Sequence, residues 1–224
     1  MRFITKRDSP IEFERWKEQD NPKSWSEFPT NKIDPTRAEE GTCYYSRAEL
    51  RAHLLIEQES LCGYCESKVI NKPFESKLEH ILPQENNDYD SLRFNYNNII
   101  VVCSGGEVFG KKGAQLHCDS AKKDQEIAIT PLVNTCEEEI KFTLNGNIYS
   151  NTAEGENTIE ILNLSLAKLN ILRQNAINSI IYNDIDNSIF IDKEEAIFLY
   201  NAIESKELIL PFVSSIRNAL QRIM

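Results

Sequence analysis

The sequence predicts an α+β fold: a small cysteine-braced core with an irregular N-terminal arm before it and a helical region after it. Three observations carry this. Pro10, Pro22, Pro29 and Pro35 break the first stretch, so no long helix fits there. Six cysteines include the pair Cys62 and Cys65 at C-x-x-C spacing. Apolar residues recur at helical spacing through the last third, and an Asn-Gly turn marks a short strand pair before it.

Whole-chain quantities narrow the class. The chain has 224 residues, 41% apolar and 27% charged, close to the globular norm. No apolar run reaches the roughly 20 residues that a membrane helix needs, so no membrane role is expected. The N-terminus turns polar at once, which predicts no signal peptide and a cytoplasmic protein. A net charge of -10 counts against autonomous nucleic-acid binding. Either a local basic patch or a partner must supply positive surface.

Three regions follow in order. Residues 1–45 form the arm, with Phe3, Phe13, Trp16, Trp25, Phe28, Tyr44 and Tyr45 spread through it and room for one short helix from Ile11 to Gln19. These aromatics either pack on the arm's own domain or dock on a partner protein. Residues 46–130 hold nearly all the chemistry. Ser46 with Glu49 is a helix-capping signature, and Leu50, His53, Leu54 and Leu55 carry that helix toward Ser60. The run from Asn98 to Cys103 is a buried strand or a short helix. Residues 131–224 are mainly helical and chemically silent. Apolar positions run on from Thr158 to Ile181, and two amphipathic stretches follow, Lys193–Ser205 and Pro211–Ile223. Strands Ile140–Leu144 and Asn147–Ser150 flank Asn145-Gly146.

In a reducing compartment C-x-x-C with distant cysteines reads as a metal site rather than a disulfide framework. Cys62 and Cys65 supply two thiolates from one tight turn; Cys103 and Cys118 complete a tetrahedral zinc set, with His117 as the alternative fourth ligand. Four protein ligands leave no place for water, so such a zinc is structural. Cys43 and Cys136 are expected to be plain cysteines, and Cys103 alone could equally be a buried core residue.

Glu79-His80 lies between those staples. A histidine near neutral pKa suits a general base, and a carboxylate suits Mg²⁺ or Mn²⁺. An isolated Glu-His pair is usually surface, so its value comes from its neighbours. Asn98 can orient a histidine through its amide; Asp119 can put a second oxygen on the same ion. Lys122, Lys111 and Lys112 can meet phosphate, or they can form an ordinary solvated face.

These residues together resemble the HNH endonuclease family, whose core is a ββα-metal unit. The pattern here is Glu79-His80-Ile81-Leu82-Pro83, then Asn98 through Cys103, then Cys118-Asp119-Ser120-Ala121-Lys122, with Cys62 and Cys65 upstream. Asp119 stands where the family has His or Asn, and Ser104 to His117 form a long insert between the two later cysteines. The Cys-Gly-Tyr-Cys-Glu start, the His-Cys-Asp-x-x-Lys end and the Leu162-Asn163-Leu164 stretch resemble the HNH subunits of Septu-type anti-phage defence systems, some of which accompany retrons. The resemblance implies phosphodiester hydrolysis of nucleic acid, DNA or RNA, and an ABC-type ATPase partner. It would make His80, Asn98, Glu79 and Asp119 catalytic, with Glu79 and Asp119 on the magnesium or manganese. A different class fits the same residues: a catalytically inactive, zinc-stapled interaction module that regulates a partner ATPase. A zinc protein that only binds nucleic acid fits the acidic pI least well.

Overall fold

The computed structural model describes residues 1–31, 44–107, 115–182 and 191–224. Helix α1 spans Ile11–Asp20 and α2 spans Arg47–Glu57. Both features of the Ser46–Glu49 capping box form, which explains why α2 starts where it does. Strand β1, Ser76–His80, pairs antiparallel with β2, Ile99–Cys103, and Glu79 lies opposite Ile100 while His80 lies opposite Ile99. The Asn98 run is therefore a strand from Ile99 onward, and all five of its residues are buried.

One short turn of helix, α3, covers Asp119–Lys122 directly after Cys118. A second short turn, α4, spans Cys136–Glu139. The Asn-Gly hairpin is present as β3, Lys141–Phe142, and β4, Ile148–Tyr149. Four helices finish the chain: α5 Ala153–Ile161, α6 Ala167–Ile181, α7 Lys193–Glu204 and α8 Val213–Leu220.

One expectation changes here. The apolar run from Thr158 to Ile181 is broken into α5 and α6 rather than continuous. Asn163 sits left-handed at φ 49°, a conformation Asn tolerates, and its side chain donates to Leu116 O at 2.8 Å. The break is thus an anchor for the segment that carries Cys118. Phe13, Trp16, Phe28 and Tyr45 are buried against one another, with ring centroids 4.4 to 6.4 Å apart. These four rings are core side chains.

One apolar cluster joins these aromatics to α2, the β1–β2 hairpin, the cysteines and α5. A second cluster lies among α6, α7 and α8. Packing in the first cluster crosses both sequence boundaries, at residues 45/46 and 130/131.

Candidate functional site

The four expected cysteines meet. The ligand atoms of Cys62, Cys65, Cys103 and Cys118 lie within 4.8 Å of one another, and all four residues are buried. Sulfurs are 3.9 Å apart for Cys62–Cys118 and 3.8 Å for Cys65–Cys103 and Cys103–Cys118. Thiolates held at about 2.3 Å from a tetrahedral zinc stand roughly 3.8 Å from each other, so this spacing can hold such a metal. The donor chemistry agrees. Burial pushes the Cys62 and Cys118 thiols well up, because an uncompensated charge is costly in the interior. A soft divalent cation removes that cost.

The fold assembles the four from three places. Cys62 and Cys65 sit on a turn closed by Glu66 N to Cys62 O at 3.0 Å and docked on β2 by Gly63 N to Val101 O at 3.0 Å. A Cβ at Gly63 would meet Ile100 Cδ1 at 2.7 Å, so the close docking needs glycine. Cys103 ends β2 and donates its amide to Cys62 Sγ at 3.2 Å. Cys118 hangs from the α5–α6 turn through its amide to Leu162 O at 2.9 Å. His117 Nδ1 lies 3.2 Å from Cys118 Sγ and 3.9 Å from Cys103 Sγ. It flanks the set, and the mutual group consists of the four sulfurs. Cys136 is buried apart from them, and Cys43 lies outside the described residues.

A second constellation adjoins the first. Tyr64, inside the C-x-x-C turn, donates its hydroxyl to Glu79 Oε1 at 3.0 Å. Lys122 Nζ reaches the same oxygen at 2.9 Å and donates to His80 O at 3.1 Å. Burial pushes Glu79 up to about 8; the nearby Asp119 carboxylate adds to this and Lys122 opposes it. Asp119 Oδ2 pairs with Lys77 Nζ at 3.1 Å. Glu79 and the nearby Asp119 form an oxygen-donor pair of the kind hard divalent ions use.

His80 is 5% exposed. Its Nε2 is 2.8 Å from Arg93 O. A carbonyl only accepts, so Nε2 carries the proton and Nδ1 keeps its lone pair. Burial lowers its pKa to about 4, so the ring is neutral at physiological pH. Adjacent strand residues face opposite ways, yet Asp119 and Lys122 act on both Glu79 and His80 at this end of β1.

The family-model comparison finds no match. Among curated proteins, the chain is 28% identical over 125 residues to the Septu protein PtuB of Bacillus thuringiensis. The alignment covers 56% of this chain and 44% of that protein's length. The similarity is distant and reaches about half of each chain. No described helix is long and apolar enough to cross a membrane.

Two sequence expectations need correction. Asn98 does not hold the His80 ring through its amide. Its Oδ1 accepts from Leu82 N at 2.9 Å, and its Nδ2 donates to Leu82 O at 3.1 Å and Leu92 O at 3.3 Å. It pins the loop whose next residue, Arg93, supplies the carbonyl that holds His80. Lys122 is not on a phosphate-facing surface either. It is 1% exposed, because one turn of α3 after the anchored Cys118 aims it inward at Glu79. Lys111 and Lys112 lie outside the described residues.

Sequence reasoning missed four contributors. Lys77 was findable, since it shares a strand face with Glu79 at the i, i+2 spacing. Tyr64 stood in view inside the C-x-x-C turn. Trp25, edge-on to His80 with centroids 4.5 Å apart, and the Arg93 carbonyl left no signal, since tertiary folding alone brings them in.

Proposed function

We propose that this chain is a metal-dependent HNH-type endonuclease, the effector of a defence complex with an ABC-type ATPase. The observation that carries it is a neutral His80, its Nε2–H held by a backbone carbonyl, beside the Glu79–Asp119 carboxylate pair. A Mg²⁺ or Mn²⁺ ion held by Glu79 and Asp119 would supply charge stabilisation at the scissile phosphate and its leaving oxygen. His80 Nδ1 takes the proton from the attacking water. Asn98 and the Arg93 carbonyl fix the imidazole. Tyr64 and Lys122 hold Glu79 in place, and Lys77 holds Asp119. The four cysteines, around zinc, keep the hairpin, the knuckle and α3 in register.

The acidic surface fits a division of labour in which the ATPase helps to grip nucleic acid. The test uses plasmid DNA and cellular RNA, wild type and His80→Ala, with and without Mg²⁺ or Mn²⁺, alone and with the ATPase. Metal-dependent cutting is expected from wild type, falling at least about 100-fold in His80→Ala with unchanged melting behaviour. Full activity in His80→Ala would sink the assignment.

A second reading, the inactive zinc-stapled module regulating an ATPase, has one observation in its favour. Each carboxylate already has a lysine counterion, Lys122 for Glu79 and Lys77 for Asp119. It predicts partner capture and bound zinc, with no cutting under any condition above.

A further inference from the structure

A cleft of about 750 Å³ opens beside His80, lined by Lys23, Trp25, Arg47, Gln84, Glu85 and Arg93 among others. Two of its walls touch the imidazole: the Trp25 ring meets it edge-on at 4.5 Å, and Arg93 O accepts from Nε2 at 2.8 Å. Its charge is opposite to that of the chain, which carries -10. Lys23, Arg47 and Arg93 face Glu85, and of these three cations only Arg93 has a carboxylate partner among the described residues, Asp90 at 2.6 Å. Arg47 is set rather than loose. Its guanidinium donates to Trp25 O and lies 5.4 Å from the Trp25 ring, and its Nε has no partner among the described residues. Lys23 is exposed at the rim, its amine 2.8 Å from Asn21 Oδ1.

We propose that this cleft is the track for the nucleic-acid backbone on one side of the scissile phosphate, with Arg47 and Lys23 as its phosphate contacts. The inference rests on the nuclease reading and names the surface that reading lacked once Lys122 turned inward. Phosphodiesters are what unpaired guanidinium and ammonium groups in a polar cleft recognise best, and such contacts are sequence-independent. On an overall acidic chain, a cleft with excess basic groups favours a strand there over the acidic surface around it.

The test measures binding of labelled single-stranded DNA, single-stranded RNA and duplex DNA by fluorescence anisotropy. The full chain is used in the His80→Ala background, without added Mg²⁺, alone and with the ATPase. The double variant Lys23→Glu/Arg47→Gln is compared with Lys193→Glu, a charge reversal on α7 away from the cleft. The double variant should weaken binding about tenfold or more and reduce the salt dependence by roughly two phosphate contacts, while Lys193→Glu binds as the parent does. The single variant Lys23→Glu, at an exposed position, keeps the test valid if the double variant folds poorly, and should by itself reduce affinity severalfold. Unchanged binding in the cleft variants, with wild type still cutting, overturns the track and leaves the nuclease standing. Failure of wild type to bind or cut any of these nucleic acids overturns both. The arm that binds tightest identifies the strand type.

Discussion

The cysteine cluster and the carboxylate–histidine site share one hairpin, yet they are built on opposite principles. Four like donors converge in the first, within 4.8 Å, with the His117 ring against one of them. In the second, each acid already has protein partners: Glu79 has Tyr64 and Lys122, Asp119 has Lys77. A buried set of four thiols at metal-ligand spacing depends on its metal for stability. A compensated set of acids is held by the protein itself and can exchange an ion without unfolding. The difference separates a metal that makes the fold from a metal that uses it.

The largest effect should come from the first site. Cys118→Ser, or chelation of zinc from the purified chain, should abolish cooperative thermal unfolding, because metal binding of this kind is worth on the order of 10 kcal/mol. Elemental analysis should find about one zinc per chain in wild type. An unaltered melt with zinc gone would break the comparison. Stripping Mg²⁺ from the same protein should leave its melting temperature nearly unchanged.

Next is acid sensitivity at the second site. His80 has a folded-state pKa of about 4 against an ordinary 6.5. Above 6.5 it is neutral folded and unfolded, and contributes no pH dependence. Below 6.5 the unfolded chain takes up a proton that the folded chain refuses, so stability falls as pH drops toward 4, by about 3 kcal/mol in all. Denaturant midpoints of wild type and His80→Gln between pH 7 and pH 4 isolate this contribution, since other groups cancel in the difference. Parallel curves would show that the imidazole is not held neutral.

Asn98→Ala should cost about 2 kcal/mol, because it strands backbone groups of Leu82 and Leu92 in a partly buried loop. Cutting should fall with it as the Arg93 carbonyl loosens from His80, and Asn98→Asp should not restore the Leu82 O and Leu92 O bonds. The smallest effect belongs to Tyr64→Phe, which removes one hydrogen bond to Glu79 and should cost about 1 kcal/mol. Its informative readout is the Mg²⁺ concentration for half-maximal cutting: a change there with zinc content intact would show that the knuckle tunes the second site as well as bracing it.

Much of this was legible in the chain itself. The C-x-x-C spacing, the capping box at Ser46 and the Asn-Gly hairpin are local patterns, and each produced the element it predicts, while the helical periodicity from Thr158 gave two helices with a break at Asn163. The pairing of distant Cys103 and Cys118 with Cys62 and Cys65 was also inferable, since the ligand demand of one metal links residues that no local rule connects. Lys122 was misread because charge alone suggests solvent, whereas one anchored turn of α3 directs it inward.

The sequence by itself determined which chemical groups are present and where several helices and the Asn-Gly turn lie, because periodicity, capping and ligand spacing act over a few residues. Only the tertiary structure decided what each group touches. Trp25 and Arg93 reach His80 from 55 and 13 residues away, and α5–α6 holds the Cys118 loop from a region with no chemistry of its own. Such contacts depend on packing between distant elements, and a linear pattern carries no record of that.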